Sequence, residues 1–139
     1  MSSEDTIFAK IIRREIPAHI VYEDDATLAF LDNNPTNPGH TLVVPKKAVR
    51  NIFDADDATL AALMHTIRKI APVIKEAVGA DGVNIHSNHE AAAGQEVFHL
   101  HFHIIPRFLN DGYKYTWGHT TYKEGEAVAL AKDIAARLG

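Results

Sequence analysis

The run Phe98-His99-Leu100-His101-Phe102-His103-Ile104-Ile105-Pro106 constrains this chain more than any other segment. Three histidines sit at i, i+2 and i+4, separated by large apolar residues. A strand sends alternate side chains to opposite faces. The run therefore predicts one strand with an imidazole face and a hydrophobic face. Phe98, Leu100, Phe102 and Ile104 belong to a core, and His99, His101 and His103 line up on the other side. Packing alone gives no reason for three imidazoles in register, whereas imidazole serves as nucleophile, proton donor, proton acceptor or metal ligand.

The rest of the chain can supply the core. With 139 residues, 46% of them hydrophobic and 23% charged, it has the size and balance of one globular domain. The net charge of −4 provides no basic field for nucleic acid or an anionic membrane. No stretch approaches the ~20 apolar residues of a membrane span. Cysteine is absent, which excludes disulfides and thiolate chemistry. The opening Met1-Ser2-Ser3-Glu4-Asp5 is acidic and polar, unlike a secretory signal, and a cytoplasmic setting is expected.

Apolar spacing and turn residues divide the chain into elements. A short helix is expected over about Thr6–Glu15, ended by Pro17. Ile20–Tyr22 and Thr27–Leu31 read as a hairpin around Glu23-Asp24-Asp25. The turn-rich loop 33–39 feeds a strand over His40–Pro45. Asp54 or Asp56 caps a long helix reaching about Val78, where Gly79 ends it and Pro72 should kink or break it. Gly82–Ser87 is a strand, residues 110–125 are polar and aromatic without a period, and a last helix covers about Glu126–Leu138. Short connections favour an antiparallel sheet. The fold class is α+β: about five antiparallel strands with one long and two shorter helices, shielding one face and leaving the histidine side accessible.

Two chemistries compete for the histidine row. Strand residues rise ~3.3 Å each, so His99 and His103 stand ~13 Å apart, while a metal–nitrogen bond is only ~2 Å. One ion can take two neighbours and needs a third ligand from His40, His86 or His89. The other chemistry is nucleophilic attack on phosphorus by a neutral imidazole, with flanking imidazoles bonding phosphate oxygens or protonating a leaving group. The middle residue, His101, is then the geometric choice for nucleophile. A row of merely structural histidines is the bland alternative. Ala93-Gly94-Gln95-Glu96, just upstream, suits close approach of backbone to an anion.

The segment from Gly94 to Ile105 carries the pattern His-φ-His-φ-His-φ-φ, with φ hydrophobic, and so resembles the histidine triad (HIT) superfamily of nucleotide hydrolases and transferases. Ile16-Pro17, Ala29-Phe30-Leu31-Asp32 and Pro38-Gly39-His40-Thr41-Leu42-Val43-Val44-Pro45-Lys46 also look like this family. The resemblance covers about residues 6–108 of a single 1–139 HIT domain, with 109–139 as a C-terminal segment.

The resemblance implies roles. His101 attacks the α-phosphate of a purine nucleotide or nucleotide conjugate, and water resolves the nucleotidyl-histidine. The His99 carbonyl holds Nδ1–H of His101, and His103 and His40 complete the catalytic group. Asp32 bonds the ribose hydroxyls, and Phe30 and Ile11 wall the base pocket. Asn88, Gly94 and Gln95 contact the phosphate or leaving group. Glu96 stands where relatives carry Ser or Thr, so only its backbone N–H is assigned a role. No metal or cofactor is required, and a homodimer using the long helix and an edge strand is expected. His103, where a transferase branch has Gln, favours hydrolysis. The N-terminal half is similar to the nucleoside phosphoramidate branch. The exit Ile105-Pro106-Arg107 also resembles the dinucleoside polyphosphate branch, which remains the alternative activity. A metal-dependent hydrolase and a non-catalytic nucleotide-binding regulator are the more distant ones.

Overall fold

Pro45, at the end of an apolar strand, determines where the histidine run can pair. The computed structural model describes residues 5–114 and 117–139. The expectations for Met1–Glu4 and for Tyr115 and Thr116 lie outside them. The chain runs through α1 (Ile7–Ile12), β1 (Ile20–Glu23), β2 (Thr27–Leu31), β3 (Thr41–Pro45), α2 (Asp57–Val78), β4 (Gly82–His86), β5 (Phe102–Arg107) and α3 (Glu126–Leu138). The strands form one sheet in the order β1-β2-β3-β5-β4, with every pair antiparallel. The five strands, one long helix and two shorter helices are those the sequence predicts.

The histidine run is not one strand. β5 starts only at Phe102, and its pairing with β3 ends at Val43 opposite Phe102. Pro45 has no N–H to continue the ladder. The chain bridges the gap with other bonds: Leu100 N–H donates to the Val49 carbonyl at 2.8 Å, and His99 Nε2 lies 2.8 Å from the Pro45 carbonyl. Leu100 and Ile104 reach the core as expected, while Phe98 and Phe102 are half-buried.

Both faces of β2 and β3 are covered, so the helices do not shield one face only. Alternate residues Ala29 and Val43 meet Leu63, Ile67, Ile70 and Ala71 of α2, together with Leu100 and Ile104. Their neighbours Leu28, Phe30, Leu42 and Val44 meet Phe8 and Ile11 of α1. This is why these two strands read as apolar runs rather than alternating ones. Because α1 has only six residues, it leaves the β3–β5–β4 end of its face open, and the site forms there.

Helix ends follow their capping chemistry. The Asp56 side chain accepts from Thr59 N–H at 2.8 Å, and Gly79 closes α2 in a left-handed conformation. α2 runs unbroken through Pro72. Pro72 and Arg68, whose carbonyl loses its donor, both lie on the exposed side, where water can bond that carbonyl. No helix among the described residues is long and apolar enough to cross a membrane. α3 buries none of its residues, and Leu130, Ile134 and Leu138 lie exposed along it.

Candidate active site

The backbone assigns the nucleophile its proton. Nδ1 of His101 lies 2.8 Å from the carbonyl oxygen of His99. A carbonyl only accepts, so Nδ1 carries the ring hydrogen and Nε2 keeps the lone pair. The Ser87 hydroxyl donates to the His101 carbonyl at 2.6 Å, and Phe8 packs edge-on to the ring at 4.9 Å between centroids. Burial holds the His101 pKa below the ordinary imidazole range, partly opposed by the bond to His99. The ring is thus neutral at pH 7 and borders an open cleft of about 490 Å³, a size that suits a nucleotide.

His103 is held by a chain of donors that begins in the main chain. Thr36 N–H donates to Nδ1 of His40 at 3.0 Å. In the neutral His40 ring the proton therefore sits on Nε2, which lies 2.9 Å from Nδ1 of His103. His103 must accept there and carry its own hydrogen on Nε2. Burial, with the neighbouring His101, His86 and His40, brings the His103 pKa down to about 3, and burial also lowers that of His40. His103 is a neutral hydrogen-bond donor in this site, not an imidazolium. Two bonds brace the loop that carries Thr36 and His40: Asn37 Nδ2 donates to the Pro106 carbonyl at 2.9 Å and to Asp111 at 3.0 Å. Gly39 allows the close passage, since a Cβ there would meet Val78 at 3.0 Å.

Asp32 serves two ends at once. One oxygen caps the turn by accepting from Asn34 N–H at 2.8 Å, and the other lies 3.6 Å from His40 Nε2. Asp32, His40 and His103 each place a ligand atom within 4.8 Å of the other two, a two-histidine, one-carboxylate set. Its polarity does not fit a metal: a ligating Nε2 needs a proton on Nδ1, and Nδ1 of His40 faces the Thr36 donor instead.

The expected substrate residues divide. Asp32, Asn88, Gly94, Glu96, His40, His101 and His103 all border the cleft. Phe30 and Ile11 do not; both are buried in the core. Phe8 stands in front of Phe30 with ring centroids 5.6 Å apart and forms the aromatic wall instead. Gln95 is turned away from the cleft and fully used. Its Nε2 donates to the carbonyls of Arg50 and Val97 at 2.8 and 3.1 Å. Its Oε1 accepts from Glu90 N–H and Asn51 Nδ2 at 2.8 and 3.0 Å. Two donors and two lone pairs are the capacity of a primary amide, so Gln95 clamps the loop and has nothing left for a phosphate. The His99 ring also stays out of the cleft; only its carbonyl takes part.

Sequence reasoning missed Phe8, Thr36 and Ser87. Phe8 looked like one of several apolar helix residues. Thr36 acts through its backbone N–H, which leaves no mark on residue type, and the Ser87 hydroxyl reaches a carbonyl 14 residues away, which no local pattern reveals.

The chain is also similar to known proteins. The model of the HIT domain family matches residues 13–110. A HIT-like protein of Borreliella burgdorferi is 46% identical over 124 residues, covering 88% of this chain and 89% of that protein. The crystal structure of a HIT family member from Bacillus subtilis superposes with a TM-score of 0.89 at 40% identity, over 98% of this chain and 99% of that one. Adenylylsulfatase HINT3 of Arabidopsis thaliana is 43% identical over 107 residues, 77% of this chain but 54% of that protein. With its three histidines, their backbone anchors and this extent of similarity, the chain belongs to the HIT domain family.

Proposed function

We propose that this protein is a nucleotide hydrolase that cleaves at the α-phosphate of nucleoside phosphoramidates or related nucleotide conjugates. The observation that carries the reading is the 2.8 Å contact between His101 Nδ1 and the His99 carbonyl, which leaves a neutral Nε2 at the cleft. Nε2 attacks phosphorus, and an N–P bond forms as the bond to the leaving group breaks; an anionic group departs with the electron pair, and an amine departs with that pair after taking a proton from water in the open cleft. The ring gains positive charge, and the His99 carbonyl bonded to Nδ1–H steadies it. Water then attacks the same phosphorus, releases the nucleoside monophosphate with loss of one proton, and regenerates neutral His101. Nε2–H of His103 donates to a phosphate oxygen, Asp32 receives the ribose hydroxyls, Phe8 flanks the base, and Asn88, Gly94 and the Glu96 backbone border the phosphate. The name of the Arabidopsis relative, an adenylylsulfatase, supports a nucleotidyl group bonded to a good leaving group. No metal enters any step.

The test is mass spectrometry of acid-quenched protein mixed with adenosine 5′-phosphoramidate, adenosine 5′-phosphosulfate or a diadenosine polyphosphate. An adenylyl adduct on His101, absent in His101→Asn together with a fall in turnover of at least ~10³-fold, is expected. Wild-type turnover by His101→Asn would falsify the reading. The leaving group that gives the fastest adduct separates the phosphoramidase reading from the dinucleoside polyphosphate alternative.

We also infer a homodimer. Leu130, Ile134 and Leu138 fall on one side of α3 by helical spacing and are 43, 50 and 84% exposed. A 13-residue helix is marginal in water without packing. On the body, Ile52, Phe53, Val73 and Ile85 are also exposed. A second copy gives both surfaces cover by one symmetric exchange.

A further inference from the structure

His86 is a histidine of the cleft to which the reaction above gives no task. It stands at the end of β4, directly opposite His103 of β5 in the sheet register. The two rings stack with centroids 4.6 Å apart and planes 30° from parallel. Asp32 N–H donates to the His40 carbonyl at 2.9 Å, so these two residues face each other across β2 and β3. Asp32, His40, His103 and His86 thus form a row across the sheet, from the end of β2 to the end of β4, and all border one cleft. If Asp32 takes the ribose, the nucleoside lies toward β2, and the far end of the row, β4, is left for what departs from phosphorus.

The proton inventory restricts what can depart. An amine leaves phosphorus only with a proton added to it. His101 has its lone pair committed to attack, and His103, with a pKa about 3, is neutral and a poor acid. A phosphate or sulfate leaves with the bonding electron pair and needs no proton, only positive charge or donors to receive it. Burial lowers the His86 pKa, but an arriving dianion opposes that shift. An imidazolium there would lie beside the His103 ring, which is neutral and so sets no second charge against it.

We propose that His86 is a specificity-determining residue that receives the anionic leaving group, so that the site favours nucleotidyl phosphates and sulfates over nucleotidyl amines. The inference rests on the nucleotidyl-transfer reading and names its leaving-group class. In the step itself the Nε2–P bond forms, the P–O bond to the phosphate or sulfate breaks, and both electrons stay on the departing oxygen.

Two measurements on the full-length protein test it. The first is kcat/KM for adenosine 5′-phosphosulfate and for adenosine 5′-phosphoramidate in wild type, His86→Val and His86→Lys. Valine suits the strand but carries no charge, whereas lysine restores it. The ratio of the two substrates should fall about tenfold in His86→Val and recover in His86→Lys. Equal losses on both substrates would show that His86 only supports His103, and the proposal fails; an unchanged ratio also overturns it. The second is calorimetric affinity for ADP and AMP, whose difference reports a phosphate in the leaving-group position without turnover. His86→Val should erase any tighter binding of ADP. If wild type binds ADP no tighter than AMP, or if the valine variant keeps the difference, the proposal is wrong. An ADP preference lost in His86→Val by a protein that forms no adduct would sink the covalent reading and leave the anion site standing.

Discussion

Nε2 of His40 lies 2.9 Å from Nδ1 of His103, and through this contact one histidine dictates the tautomer of another. Replacing His40 with alanine frees His103 to keep its proton on either nitrogen. We expect kcat to fall roughly ten- to a hundredfold, with the adenylyl adduct on His101 still formed, since the His99 carbonyl is untouched. Steady-state kinetics paired with quenched-flow mass spectrometry checks both halves. An unchanged kcat removes His40 from the proton chain.

Stability should fall on acidification. His103 titrates near 3 in the fold, and burial lowers His40, His86 and His101 as well. Unfolded histidines titrate near ~6.5. Between these limits the unfolded chain binds more protons than the native one, so unfolding becomes easier as pH drops below about 6.5. The thermal midpoint should decline from pH 7 to pH 5, and less steeply in His103→Asn. Burial lowers the His101 pKa, so the nucleophile stays neutral below the usual histidine pKa and kcat/KM should hold there. A midpoint that rises toward pH 5 contradicts the assignment.

Gln95 should matter to folding first. Gln95→Leu leaves the carbonyls of Arg50 and Val97, Glu90 N–H and an Asn51 amide hydrogen without their partner. Losing such a buried set costs about 3 kcal/mol. Glu90 adds to the cost, because it holds φ 79° within this loop and is braced by Arg50 at 2.8 and 2.9 Å. Urea unfolding gives the number. A stability loss below about 1 kcal/mol with a large rise in KM would instead place Gln95 on the substrate.

The exposed stripe of α3 makes a solution prediction. Wild type should scatter light as a dimer, and the double variant Leu130→Asp/Ile134→Asp as a monomer with its core folded. A wild-type monomer ends the homodimer reading.

The histidine run, the capped helices and the apolar strands made the fold legible, because each is a period or a cap written in residue types. What stayed hidden came from the main chain or from geometry between distant segments. Pro45 shortens β5 through a missing donor on the neighbouring strand, which the run 98–106 cannot reveal. Phe30 has the composition of a pocket wall, yet Phe8 of another element occupies that place. Gln95 sits next to a glycine at the mouth of the cleft, but its four bonds reach segments 45 residues away and nearer. At Asp32 one oxygen caps a turn and the other lies near His40, a division of labour that the residue type alone does not reveal.

The proton arrangement of the site is tied to main-chain atoms at both ends, the Thr36 N–H and the His99 carbonyl. The side chain at 36 can therefore change without altering which nitrogen attacks, whereas the His99 ring also anchors its own segment through the Pro45 carbonyl. Mutation can delete the nucleophile but has difficulty retuning it. Variation between relatives of this kind should accumulate instead along the β4 wall, where function depends on side chains alone.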